Sequence, residues 1–99
     1  VAQGLGLALM EEYLPGRTEN LHDYLIPTTG DMPHVESILV EKPDPEGPMG
    51  ARGLGEHVLI PTAPAIFNAI RHASGAEIDF APALPHRIRA AIKLKEEQS

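Results

Sequence analysis

One carboxylate stands where glycine is densest. The stretch "GPMGARGLGE", Gly47 to Glu56, places four glycines and one arginine ahead of a single glutamate. Such a loop has few side chains to bury, so core stability does not explain it. Glycines at Gly50, Gly53 and Gly55 would let a bulky ligand approach the backbone closely. Backbone N–H groups at a loop-to-helix junction are unpaired and can receive an anion or a polar group. A carboxylate at Glu56 could then act as a general base, provided the proton it removes lies within hydrogen-bond reach. Spacing alone leaves a second reading open, a solvated loop ending in a helix-start glutamate favoured by the helix dipole. The run is not a phosphate-binding Walker loop, since no Lys-Ser/Thr follows the glycines, and it lacks the GxGxxG spacing of a dinucleotide site.

Other chemistry-bearing residues are scattered. His22, His34, His57, His72 and His86 include no i,i+4 pair on a helix, so no protein-ligated metal is expected. The chain has no cysteine, which removes disulfides, zinc–thiolate sites and cysteine-ligated clusters within it and fits a cytoplasmic protein. Eight Lys and Arg against fourteen Asp and Glu give a formal charge of −6, the wrong sign for nucleic acid. No apolar run approaches the roughly 18 residues that span a bilayer, so no membrane association is expected.

The elements that must position Glu56 are readable from periodicity. Residues Ala2 to Tyr13 predict a helix that is apolar on both sides, with Gly4 and Gly6 explained by something packing close to its backbone. "ESILVEK" predicts a strand over Glu36–Glu41, and "EIDFAP" a second, short one around Ile78–Phe80. Between them, Lys42–Gly55 forms a loop in which seven residues are Gly or Pro, and loops of that length are uncommon unless functional or disordered. A helix is expected from about Ala63 to Ser74, with Pro64 suited to its first turn and Gly75 to its stop. A last helix starts near Pro85. The expected fold class is therefore α+β, about three helices with a few short strands. With 99 residues and no initiator Met before Val1, the chain reads as one incomplete piece, residues 1–99, of a larger domain without an internal boundary.

Four motifs occur in order: "QGLGLALMEEY", "YLIPTTGDMP", "EKPDPEGPMGARGLGE" and "APAIFNAI". Their order and approximate spacing resemble the C-terminal part of the molybdopterin-binding large subunit of molybdenum hydroxylases, the family of xanthine dehydrogenase and aldehyde oxidase. The resemblance extends from Gln3 to about Ile88. Its most specific element is Gly-x-Gly-Glu at Gly53–Glu56, inside a Pro-Gly-rich loop and followed closely by Ala-Pro-Ala.

The resemblance implies that Glu56 is the catalytic base beside molybdenum in the hydroxylation of an aldehyde or N-heterocycle, with hydride passing to the metal centre. Gln3 matches the glutamine whose amide lies close to the pterin, and Gly53 and Gly55 let the loop reach that cofactor. Arg52 stands where the family commonly has Lys and is expected to position the loop. His57 stands where the family often has Pro. The implied cofactors are molybdenum–molybdopterin and, on other domains or subunits, iron–sulfur clusters and often FAD. The implied partners are the remainder of the large subunit and electron-transfer subunits, and the chain alone should be inactive. Its apolar first helix and too few strands to close a sheet point to association. Two further readings stay open: a noncatalytic assembly module derived from such a subunit, and a small domain whose glycine loop binds an anion.

Overall fold

Helix α1 forms at Ala2–Leu9, helix α2 at Thr62–Ser74 and helix α3 at Pro85–Gln98; the computed structural model describes all residues from Val1 to Ser99. Two single 3₁₀ turns, Thr29–Asp31 and Pro48–Gly50, interrupt the long connection between α1 and α2. No helix is long and apolar enough to cross a membrane.

Helix α1 is shorter than its apolar pattern predicts. Beyond Leu9 both Met10 and Glu11 donate their N–H to the Gly6 carbonyl, and the chain leaves the helix. The two carboxylates that follow are taken by distant partners: Glu11 accepts from the Tyr24 hydroxyl at 2.8 Å, and Glu12 pairs with Arg87. Both carboxylates are thus engaged by side chains far along the chain. Only one face of α1 is covered, through Gly4, Gly6 and Ala8, while Leu7 stays half exposed. Gly4 is required by packing, because a Cβ there would come within 2.5 Å of Thr62 Cγ2 at the start of α2.

Helix α2 begins one residue before its expected start and stops where Gly75 adopts φ +73°, the left-handed conformation that glycine tolerates without steric cost. The Gly75 N–H closes the last turn onto the Arg71 carbonyl at 2.7 Å. Helix α3 starts with Pro85 at its first turn. Its Arg87 ties α3 to the segment before it and to the chain after α1: it donates to the Pro82 carbonyl at 2.9 Å, lies 4.8 Å from the Phe80 ring centroid and pairs with Glu12. Ala83 donates to the Ala8 carbonyl, fixing the segment before α3 to the end of α1.

The α+β expectation is overturned: the chain contains helices and turns and no strand. No backbone–backbone hydrogen bond involves residues 33–43, where the strand Glu36–Glu41 was expected, and Ile78–Phe80 is likewise without a ladder. The physical reason is that β-propensity describes fit to a pleated, half-buried surface, and these residues meet no such surface here. Ile38, Leu39 and Val40 are 80%, 83% and 88% exposed. The fully buried residues are all small, chiefly glycines and alanines, and no large side chain is enclosed. The radius of gyration is 17.4 Å, against about 13 Å for a compact domain of this length.

Candidate functional site

The loop that precedes Glu56 is closed on itself. Asp44 donates its N–H to the Gly50 carbonyl at 3.0 Å, and Gly50 donates to the Gly47 carbonyl at 3.1 Å. Met49 and Gly50, at φ +55° and +80°, turn the chain back sharply. A Cβ on Gly47 would collide with the Ala51 carbonyl oxygen, so the ring closes only around glycine. Across its base, Arg52 Nε donates to the Lys42 carbonyl at 2.6 Å. Lys42, Pro43, Met49, Gly50, Arg52 and Gly53 help to line an open cleft of about 380 Å³ on this loop.

From Arg52 onward the character of the chain changes. The N–H groups of Arg52 through Val58 have no backbone partner, and all of these residues are exposed. Glu56 sits within this run, in a bend, and its carboxylate makes no hydrogen bond or ion pair. It is not a helix-start glutamate: a turn over residues 57–61 separates it from α2, whose first turn carries no acidic residue. That turn is held by the Leu59 N–H on the Glu56 carbonyl at 3.1 Å and by the Thr62 hydroxyl on the Val58 carbonyl at 3.3 Å.

The two glycines flanking Leu54 differ in what they make room for. At Gly53 a Cβ would lie 3.1 Å from His57 Cε1, so the imidazole folds back over the loop backbone. At Gly55 a Cβ would meet nothing within 4 Å, which leaves open space beside Glu56. Gln3 is exposed on α1 and its side chain forms no hydrogen bond. Its neighbour Gly4 packs on Thr62, the first residue of α2 after the turn over residues 57–61. The structure does not gather the histidines, and no cluster of three His, Cys, Asp or Glu side chains could hold a metal ion.

These features fit a large polar cofactor held mostly by backbone. A run of free N–H donors, an open side at Gly55 and an amide at Gln3 can all serve a pterin-like group, and none of them offers a direct metal ligand. Sequence reasoning missed the Arg52–Lys42 clasp and the partners of Glu11 and Glu12. The density of Gly and Pro marked the loop, but nothing in the sequence marks which carbonyl Arg52 reaches.

No protein-family model matches the chain. It is 39% identical over 94 residues to the xanthine dehydrogenase molybdenum-binding subunit of Escherichia coli O157:H7, an alignment covering 89% of this chain and 12% of that subunit. It is 35% identical over 100 residues to an aldehyde oxidoreductase of Megalodesulfovibrio gigas, covering 94% of this chain and 10% of that protein. Among solved structures, quinoline 2-oxidoreductase from Pseudomonas putida 86 matches with a TM-score of 0.80 and 32% identity over 93% of this chain and 13% of that one. The chain belongs to the molybdenum hydroxylase family, that of the molybdenum-binding subunits of xanthine dehydrogenase and aldehyde oxidoreductase. It spans 12% of the xanthine dehydrogenase subunit's length.

Proposed function

We infer that these residues form one wall of the active site of a molybdenum hydroxylase acting on aldehydes or N-heterocycles, with Glu56 as general base. The observation that carries this reading is the unpartnered Glu56 carboxylate, set among free backbone donors at the exit of a closed glycine loop. When bound, a molybdenum–molybdopterin group would supply the two-electron oxidising centre at which the substrate carbon is hydroxylated.

The chain's own residues bind and move protons. Gln3 offers an amide that both donates to and accepts from the pterin. Gly53 and Gly55 contribute backbone N–H groups without side chains that would keep the cofactor away. Glu56 accepts, at a carboxylate oxygen, the proton released as a water-derived oxygen adds to the substrate carbon; it need not hold the metal. The new C–O bond replaces the substrate C–H bond, whose hydrogen would leave with both electrons as a hydride equivalent to the oxidising centre; the electrons would then pass to iron–sulfur clusters and FAD carried by other domains or subunits, and the proton to solvent. The remainder of the large subunit supplies the other walls, and the substrate-selecting residues lie mostly there.

Metal analysis tests this reading. The complete subunit should retain molybdenum and oxidise members of an aldehyde and N-heterocycle panel, whereas the 99-residue chain should hold none and turn over nothing. A complete subunit without molybdenum or turnover would contradict the reading, as would stoichiometric molybdenum on the short chain.

A further inference from the structure

We propose that Arg52 is a positioning residue, clasping the base of the glycine loop so that Glu56 leaves it from a fixed point. The proposal rests on the reading of Glu56 as base and adds the device that aims it. The clasp joins residues ten apart in sequence, through Arg52 Nε and the Lys42 carbonyl at 2.6 Å. Inside it, the Asp44–Gly50 and Gly50–Gly47 bonds make a small closed ring. Outside it, only Gly53, Leu54 and Gly55 separate Arg52 from Glu56, and none of the three has a backbone partner.

The position of Glu56 relative to the rest of the molecule is therefore set at two points. On one side stands the turn over residues 57–61 that leads to α2; on the other stands the clasp. Two glycines in a three-residue tether supply little stiffness of their own, so releasing the clasp frees one of the two anchors. A catalytic group displaced by about 1 Å can lose about a hundred-fold in rate. Arg52 acts here through a hydrogen bond to a carbonyl, a task that needs a donor and does not need a guanidinium. A lysine can also donate to that carbonyl, whereas a methionine of similar length cannot.

The test compares Arg52→Met with Arg52→Lys in the complete, metal-loaded subunit, with Glu56→Gln alongside. Arg52→Met should raise amide exchange at Asp44 and Gly50 by about ten-fold or more and lower kcat by about ten- to hundred-fold, with KM and molybdenum content little changed. Arg52→Lys should restore most of both. Unchanged exchange in Arg52→Met overturns the clasp, and faster exchange with unchanged kcat overturns its positioning role. An Arg52→Lys variant as impaired as Arg52→Met overturns the carbonyl bond as the cause. A silent Glu56→Gln removes the base itself, and the exchange measurements still decide whether the clasp exists.

Discussion

A carboxylate's neighbours decide its work, and Asp31 and Glu56 show the two extremes in this chain. Asp31 is engaged through one oxygen: its Oδ2 accepts from the Thr28 N–H at 2.8 Å and from the Thr28 hydroxyl at 2.9 Å. These two bonds favour the charged form and hold its carboxyl below the ordinary value of 3.8, the Thr28 backbone bond contributing most. Because the folded value is depressed, the stabilisation is fully present above the unfolded value and is lost as pH falls through the folded one. An NMR titration of the Asp31 carboxyl should give a midpoint below 3.8, and Asp31→Asn should abolish that acid-side change in the turn. A midpoint at or above the ordinary value would contradict the structural role. Glu56 has no such partners, which leaves its lone pairs free for a proton.

Arg87 links α3 to the segment before it and to the chain that follows α1. Its side chain and that of Glu12 are only 26% and 25% exposed, and it also reaches the Pro82 carbonyl and the Phe80 ring. Hydrogen bonds to charged groups contribute about 1.5–3 kcal/mol, so Arg87→Met should loosen the α1–α3 junction by about that much. The amide of Ala83, bonded to the Ala8 carbonyl, reports it directly and should exchange about ten-fold faster or more. Unaltered exchange at Ala83 would show that the junction does not depend on Arg87. Helices were legible because local signals define them: Pro64 and Gly75 bracket α2, and Pro85 opens α3. The Glu12–Arg87 pair was not, since its partners lie 75 residues apart. The apolar run Ile38–Val40 misled for the opposite reason: its residue types favour strands, but a ladder needs neighbours that these residues do not meet. At the site, Gly and Pro density exposed the loop and its glutamate, whereas the Arg52 clasp depends on a fold that no residue type encodes.

At the scale of the whole molecule, the chain is open. Its radius of gyration of 17.4 Å exceeds the roughly 13 Å of a compact domain of similar length, and large apolar side chains such as Leu21, Ile38, Val40 and Ile60 face outward. The chain matches 12% of the length of its xanthine dehydrogenase relative. The same openness applies to the site: Gly55, Glu56 and the other residues carrying the free N–H groups are all exposed.

The most direct measurement is the reductive half-reaction of the complete enzyme carrying Glu56→Gln, with molybdenum content determined on the same sample. The amide keeps the shape and hydrogen-bonding capacity of the side chain while removing the proton acceptor. General-base catalysis contributes about 10²–10⁴-fold, so the rate should fall by about that factor with the metal retained. Glu46→Gln, in the same loop but inside the closed ring, should be nearly silent. A metal-loaded Glu56→Gln enzyme that is reduced at the normal rate would contradict the assignment of Glu56 as the base.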